Sequence, residues 1–530
     1  METSANATDN PTASTVRRMR SEATTHETPI PGWVLILLLA PLALLLGFAA
    51  GDSFLFIGLA VLAIASIVGF SAIRLSLAVK LIFLLIVITF LQRLLGYFKL
   101  GEARGVNVLN LLLVSTIGYW LLGGLRRGTF YRPSPIDFWL CITVVVIPVV
   151  SLTYTVAFGR VPGYDLTSQL AWYKRYITPF IYLFLLSQCL ESKRDIRYLY
   201  YLIFAIVALV VLQGMPEVVH FSNWRESRSE GIVGQANDYA ALLATTAPLF
   251  FLWVLLFPGH RAMKTVVIVL LGCMAISMLT TFSRAGYIGF AMAFGGAVFI
   301  AYKVTRRLTV LGPVILISTL CLLPIVAMPQ IVDSLATRFQ PETYKRSHRK
   351  SYSKFEGINQ YSGGRLELWK SALRMAEDYP VLGVGFHAFE LVLPRYHYLQ
   401  WSNYCHNQFL ATLAEGGIIW LTALCALYWK LYRLLYQNWR TVFSQGDRTG
   451  ILICGGALLS YLIMLFLSLT SDFNNPGPKS LVFWITIAGA LRYGLLARLD
   501  EQGESDEASD TEEAEEIGYA EGSAPATGGR

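Results

Sequence analysis

Residues 404–429 read YCHNQFLATLAEGGIIWLTALCALYW, a histidine and an asparagine followed by an almost unbroken apolar run. As a helix, such a run is long enough to cross the roughly 30 Å hydrocarbon core of a bilayer. Comparable runs recur along the 530 residues, of which only 15% are charged, whereas a soluble domain carries about 25%. The chain shows none of the short alternating segments of a transmembrane barrel. We therefore predict an all-α, polytopic transmembrane protein with about 12–14 spans.

The apolar runs divide the chain into membrane and non-membrane segments. We predict spans near 32–50, 53–70, 77–95, 107–123, 136–157, 174–190, 197–214, 237–257, 265–281, 286–302, 308–327, 407–429, 450–470 and 479–497. The predicted organisation is a disordered cytoplasmic N-terminus (1–31), spans 1–11 (32–328), a large outer loop with short helices (329–405), spans 12–14 (406–498) and an acidic, disordered cytoplasmic tail (499–530). The tail is dominated by Glu and Asp, a composition that favours disorder.

The distribution of Lys and Arg orients these spans, because cytoplasmic loops carry an excess of both. With Arg17, Arg18 and Arg20 inside, the basic residues concentrate in alternate connections. This orientation places both termini in the cytoplasm and the connections near 215–235 and 280–287 outside, together with the large loop. That loop is itself basic, which long loops tolerate on the outer side. We expect it to attract an anionic partner.

The large loop carries one clear helical pattern. Leu366, Trp369, Leu373 and Ala376 recur at helical spacing after two glycines, and Pro380 ends the pattern. The spacing predicts an amphipathic helix that lies on the membrane surface or over a cavity.

Arg284 lies between two apolar spans that only a few residues separate. Charged groups at such positions are costly and tend to mark function. Its guanidinium could snorkel to lipid phosphates, or it could form a fixed bidentate contact with a pyrophosphate.

Arg225 and Arg228 lie in a glycine-punctuated stretch before a span that begins near Asn237. A polar helix start of this kind lets backbone N–H groups face an anion. An ordinary solvated loop would show the same residues.

His406 is a candidate proton acceptor, because an unperturbed imidazole titrates near neutral pH. It could equally be a hydrogen-bonded structural residue. Asn407 follows it directly, and Glu415 lies about two and a half helical turns further on, on a different face, where we expect it to pair with another helix. Arg365, at the start of the loop helix, could be a third phosphate contact or simply solvated.

Metal and cofactor chemistry has little support in the sequence. The outer loops contain no Asp-x-Asp and no His or Cys cluster with metal-ligand spacing, and the seven cysteines are scattered singly. Asp52, in the first outer loop, is a lone carboxylate that could be a metal ligand. We predict neither a metal nor a cofactor, and no nucleic-acid partner.

Three segments resemble the O-antigen ligase and polymerase superfamily. They are TFSRAGYIGF (281–290), GGRLELWKSALRMAEDYPVLGVGFHAF (363–389) and HNQFLATLAEGGIIWL (406–421). The resemblance implies a bacterial inner-membrane glycosyltransferase of cell-surface polysaccharide assembly, such as lipopolysaccharide or exopolysaccharide. It implies metal-independent, inverting transfer of a glycan from an undecaprenyl-pyrophosphate donor, with the active site on the periplasmic face.

By that resemblance, the arginine of the Ser-Arg-Ala-Gly motif corresponds to Arg284, and the histidine of the His-Asn motif corresponds to His406. The upstream arginine of the family corresponds to Arg228, although Arg225 lies nearby. Asn407 and Glu415 follow the histidine as they do in the family. Ligases and polymerases share these motifs, so a glycan, a lipid or a protein acceptor stays open.

The alternative from another class is a flippase or transporter for lipid-linked sugars, which would also have many spans and intramembrane arginines. We detect no internal repeat with paired broken helices, and the polar residues collect on one side of the membrane. Both features favour the transferase.

Overall fold

The computed structural model describes residues 77–94, 108–127, 131, 133–159, 161–219, 228–257, 261–305, 365–396, 404–471 and 477–522. The regular secondary structure of these residues is entirely helical. The α-helices are α1 Leu77–Leu94, α2 Val108–Arg127, α3 Asp137–Phe158, α4 Leu166–Cys189, α5 Lys193–Val219, α6 Ala236–Leu256, α7 Arg261–Thr280, α8 Arg284–Thr305, α9 Arg365–Asp378, α10 Phe389–Val392, α11 Gln408–Ser444, α12 Arg448–Ser468 and α13 Pro478–Gly522. Short π-helical turns interrupt α3 at Ile142–Val146 and α12 at Ile451–Gly455.

Eight helices are long and apolar enough to cross a membrane, namely α3, α5, α6, α7, α8, α11, α12 and the first part of α13. The predicted class, a polytopic helical membrane protein, is confirmed. The predicted spans 77–95, 107–123 and 174–190 coincide with the helices α1, α2 and α4. The predicted spans 32–50, 53–70 and 308–327 lie outside the described residues.

Helix α6 lies at the centre of the bundle, where it packs against α7, α8, α12 and α13. In the apolar stretch of this helix, 94% of the residues are buried inside the protein. Glycines of α8 allow the closest approach, since a Cβ on Gly286 would lie 2.7 Å from the Cβ of Ala240, and one on Gly289 would lie 3.1 Å from that of Ala244. Small residues at such contacts let helices pack closely in a membrane.

The amphipathic helix predicted in the large loop is present as α9. Its buried residues include Leu368, Ala372 and Met375, and Trp369 is partly buried. Leu373 is 46% exposed, so the buried face is offset from the predicted stripe. The reason is that α9 packs on the start of α11, and Trp369 Nε1 donates a hydrogen bond to the carbonyl of Cys405 at 3.1 Å.

A break in α11 explains the Glu-Gly-Gly sequence of residues 415–417. Gly417 has φ 64° and ψ −165°, a conformation that is essentially restricted to glycine. The loop 380–385 docks at this break through three backbone hydrogen bonds. They run from Val384 N to Ala414 O (2.8 Å), from Gly385 N to Glu415 O (3.0 Å) and from Ile418 N to Pro380 O (2.8 Å). The break therefore fixes the outer loop to the helix that begins beside His406.

Replacing Gly417 by Ala should destabilise the protein strongly. The backbone conformation costs a residue with a side chain of order 1–3 kcal/mol. The new Cβ would also lie 2.2 Å from the carbonyl oxygen of Val381, and such overpacking costs about 1–3 kcal/mol more. Thermal unfolding in detergent measures the loss. Gly446→Ala is the matched control, since Gly446 also has a positive φ (68°) but no atom within 4 Å of a Cβ. Equal losses in the two variants would contradict the docking role.

The last helix differs from the prediction for the C-terminus. Helix α13 extends to Gly522 and so includes most of the acidic segment for which the sequence predicts disorder. Glu and Ala are good helix formers, and no proline follows Pro478 until Pro525, so nothing in the chain stops the helix at the membrane boundary.

Candidate active site

Six helix termini meet at one end of the bundle: the starts of α6, α8, α11 and α13 and the ends of α7 and α12. Three contacts join them across the connections. Ser229 N donates to Thr280 O at 3.0 Å, Asn407 Nδ2 donates to Leu469 O at 3.1 Å, and Lys479 Nζ lies 2.6 Å from Asp238 Oδ1. This end carries the polar residues that the sequence singles out.

Arg228 is held in a fixed orientation before α6. Its Nε donates to the carbonyl of Thr281 and its Nη2 donates to Asn237 Oδ1, both at 2.8 Å. The supporting residue Asn237 therefore orients a guanidinium, and the same contact ties the α6 start to the α7–α8 turn. Arg225 lies outside the described residues.

Glu217, near the end of α5, holds the segment that follows Arg228. Its Oε2 accepts hydrogen bonds from Ser229 Oγ (3.0 Å), Glu230 N (2.9 Å) and Gly231 N (3.0 Å). Three donors on one carboxylate oxygen fix the backbone of this turn. Glu217 was not among the site residues predicted from the sequence; its signal there is a lone carboxylate at the end of an apolar span.

Glu217→Ala should weaken binding of the pyrophosphate-linked donor that the resemblance implies, without removing the base or the cations that the resemblance assigns to the reaction. Hydrogen bonds to charged groups contribute about 1.5–3 kcal/mol each, and their loss releases the turn that places Arg228. We expect the donor KM to rise about tenfold or more, as a loss of 1.4 kcal/mol implies, while kcat changes less. Steady-state kinetics measure both constants. Glu230→Ala is the control, because Glu230 is exposed and takes part through its backbone N–H. A fall in kcat at unchanged KM would contradict the positioning role.

The Ser-Arg-Ala-Gly motif has a local structural explanation. Ser283 precedes α8, and its Oγ accepts a hydrogen bond from Gly286 N at 3.3 Å, as a helix N-cap does. Arg284 is then the first residue of the helix and is exposed, at the terminus where the helix dipole favours anions. Gly286 lets the helix approach α6. Serine, arginine and glycine thus have three separate roles.

Arg365 links the outer loop to Arg284. It is the first residue of α9, and its pKa is lowered by burial and by the positive charge of Arg284. Two like charges held this close disfavour one another, and a bound anion would relieve the repulsion.

His406 lies against the same group of cations. Burial, then the charges of Arg365 and Lys479, lower the pKa of its imidazole to about 4, and Asp238 opposes the shift. Its φ of 52° is left-handed, a region that His and Asn tolerate better than most residues. The imidazole is therefore neutral at physiological pH and available to accept a proton.

Asn407 explains why the polar pair stands at the start of the apolar run. Its Oδ1 accepts hydrogen bonds from Phe409 N at 3.0 Å and Leu410 N at 3.1 Å, which caps α11. Its Nδ2 reaches Leu469 at the end of α12. Asn407 thus fixes the position of the residue before it, His406.

Glu415 has a role in the loop. Its Oε1 accepts a hydrogen bond from Phe389 N, the first residue of the short helix α10, at 3.2 Å. It supports the loop fold from the second turn of α11.

The ion pair between Lys479 and Asp238 was also not predicted from the sequence. The side chain of Lys479 is 1% exposed and that of Asp238 is 17% exposed. Both charges act on His406. Their signal in the sequence was the polar connection NNPGPKS (474–480), which stands before the last span on the predicted outer side.

The described part of the chain contains no group of three or more His, Cys, Asp or Glu residues close enough to hold a metal ion. The chemistry available at this end is cationic. Arg228, Arg284 and Arg365 can bind an anion, and the neutral imidazole of His406 can take a proton.

The fold and this end of the bundle define a polytopic helical membrane protein with a cluster of guanidinium groups and an imidazole at one set of helix termini. Residues 266–425 match the family model described as O-antigen ligase. The match includes Arg284, Arg365, His406 and Glu415, and it supports the resemblance of this segment to the O-antigen ligase and polymerase superfamily. It supports a membrane glycosyltransferase of the ligase or polymerase type in polysaccharide biosynthesis. No curated protein matches the chain significantly.

Proposed function

We propose that the protein transfers a glycan from an undecaprenyl-pyrophosphate donor to an acceptor hydroxyl, with inversion at the anomeric carbon and without a metal ion. One observation carries the proposal: at a single end of the bundle, the charge of Arg365 acts on His406 and that of Arg284 acts on Arg365, inside the segment that matches the O-antigen ligase family.

The acceptor hydroxyl is a weak nucleophile until a base removes its proton. His406 takes that proton as the hydroxyl oxygen attacks the anomeric carbon. The bond from this carbon to the pyrophosphate oxygen breaks on the opposite side, and its electron pair leaves with the pyrophosphate. One displacement of this kind inverts the anomeric configuration.

The leaving pyrophosphate gains negative charge as the bond breaks. Arg284 and Arg228 meet that charge. Thr281 and Asn237 hold the guanidinium of Arg228 before the reaction begins, and Arg284 is exposed at the start of α8. Preset cations stabilise the transition state without reorganisation. Arg365 is placed to contribute a third contact from the loop. This arrangement performs the reaction with protein cations alone, and no cofactor enters it.

The proposed setting is the bacterial inner membrane, with this end of the bundle on the periplasmic face and both termini in the cytoplasm. The proposed partners are the lipid-linked glycan donor and a glycan, lipid or protein acceptor. The positive-inside distribution of Lys and Arg supports the orientation. The transporter alternative has less support, since the charged site residues stand at helix ends rather than at the bilayer midplane.

Purified protein in detergent tests the proposal. We expect a synthetic polyprenyl-pyrophosphate glycan and an acceptor to yield elongated product and free polyprenyl pyrophosphate, with the product of inverted anomeric configuration. EDTA should leave the rate unchanged. Movement of labelled donor across vesicle membranes without any product would favour the transporter instead.

The acidic limb of the pH profile of kcat/KM should lie at lower pH than an ordinary histidine would give. The reaction needs neutral His406, so activity is lost as pH falls through its pKa, which is about 4 instead of 6.5. We expect kcat/KM to stay constant from pH 7 down to about 5 and to fall below that, since kcat/KM reports groups of the free enzyme. An acidic limb of kcat/KM near pH 6.5 would contradict this arrangement.

The acidic limb of the pH profile of kcat should lie at higher pH than the acidic limb of the profile of kcat/KM. In the enzyme–donor complex, the pyrophosphate brings negative charge to the cations that lower the pKa of His406. A nearby opposite charge favours the imidazolium. The donor thus makes His406 a stronger base once it is bound.

A further inference from the structure

The ion pair between Lys479 and Asp238 lies beside the proposed base but is not accounted for by the reaction above. Lys479 is almost fully buried, with 1% of its side chain exposed. A lysine so enclosed does not reach a substrate. Burying a charge is costly unless it is paired, and its pairing with Asp238 at 2.6 Å explains how the fold tolerates it.

Asp238 is the more exposed partner of the pair, with 17% of its side chain exposed. It lies in the first turn of α6, next to Asn237, which binds Arg228. Lys479 stands at the start of α13, one connection after Leu469, to which Asn407 is bonded. The pair and His406 are thus fixed to the same helix termini.

The charges around His406 indicate what the ion pair does in the reaction. The charges of Arg365 on α9, Lys479 on α13 and Asp238 on α6 act on the imidazole. The charge of Arg284 on α8 acts on Arg365. When His406 takes the acceptor's proton, a new positive charge forms among these cations. Asp238 supplies the negative charge among the described groups that act on it.

We propose, on the basis of the transferase function above, that Asp238 is a positioning residue that stabilises the His406 imidazolium during transfer, and that Lys479 holds its carboxylate in place and limits its effect before the reaction. The proton itself moves from the acceptor hydroxyl to His406 and leaves with solvent after the product departs.

Three variants test this role: the two single variants change the charge in opposite directions, and the double variant leaves the net charge unchanged. Lys479→Gln removes a positive charge and releases the carboxylate, so the acidic limb of kcat/KM should move up by about one pH unit. Asp238→Asn should not move the limb upward, and its kcat should fall by about tenfold, less than the roughly 10²–10⁴-fold loss of a removed general base. In the double variant, the acidic limb of kcat/KM should lie at the wild-type pH, and kcat should be as low as in Asp238→Asn.

Size-exclusion chromatography and thermal unfolding establish which variants fold. If either single variant fails to fold, the charge-neutral double variant decides, and a wild-type kcat in it overturns the proposal. The proposal is also overturned if the acidic limb of kcat/KM stays at the wild-type pH in both single variants, or if it moves in the same direction in both. His406→Asn in the same assay separates the two hypotheses: if it is inactive while the pair variants behave like the wild type, this inference fails and the transferase function stands.

Discussion

Replacing His406 by Asn should reduce turnover by about 10²–10⁴-fold, the usual contribution of a general base. Asn is the informative substitution because His406 has a left-handed backbone, φ 52°, which Asn adopts more readily than Ala does. The variant therefore removes the proton acceptor and keeps the loop conformation. Product formation from the synthetic donor and acceptor measures the effect, and donor binding should change little.

His387 provides a matched control. It has the same φ of 52°, lies in the same outer loop, and its pKa is also lowered to about 4, here by burial. Its Nε2 bonds to Tyr404 Oη at 2.7 Å, and its ring stacks on Trp172. His387→Asn should keep most of the turnover. Equal losses in both variants would mean that loop structure, rather than proton transfer, explains the effect.

Replacing Arg284 by Lys should impair transfer although the charge is kept. An ammonium is a point charge and lacks the planar fork that contacts two phosphate oxygens at once. We expect kcat/KM for the donor to fall by about tenfold or more, below the roughly 10²–10³-fold cost of losing a transition-state donor outright, which Arg284→Ala should approach. Steady-state kinetics with the lipid-linked donor measure both variants.

Arg374 offers the control for this substitution, because it is an exposed arginine of α9 outside the cluster. Arg374→Lys should leave kcat/KM at the wild-type value. Wild-type turnover in Arg284→Lys would indicate that Arg284 only contacts lipid phosphates, and the proposed pyrophosphate site would lose its central cation.

The positions of the membrane helices were predictable because each apolar run must satisfy its backbone hydrogen bonds internally in lipid. Eight predicted spans match helices that can cross a membrane. The helix after Gly364 was also predictable from its spacing. Its buried face was not, since Leu373 is exposed and Met375 is buried; the partner surface on α11 decides the rotation, and periodicity alone cannot identify that partner.

Some residues of the candidate site could be identified from the sequence, because a charged or polar side chain is unusual beside an apolar span. Arg284 between two spans and His406 at the edge of an apolar run stand out in this way. Glu217 and Lys479 were missed, because each acts through a contact with a residue far along the chain: Glu217 with the turn after Arg228, and Lys479 with Asp238. No local pattern encodes such a pair.

The sequence by itself determined that this is a helical membrane protein, since the length and composition of its apolar runs leave the backbone no other way to cross lipid. It also determined which side chains are out of place there. Only the tertiary structure decided that the starts of four helices meet at one end, that Gly417 breaks α11 so that the outer loop docks on it, and that a buried ion pair lies beside His406. Those arrangements depend on close packing between distant segments, and packing is a property of surfaces that exist only after the helices have formed.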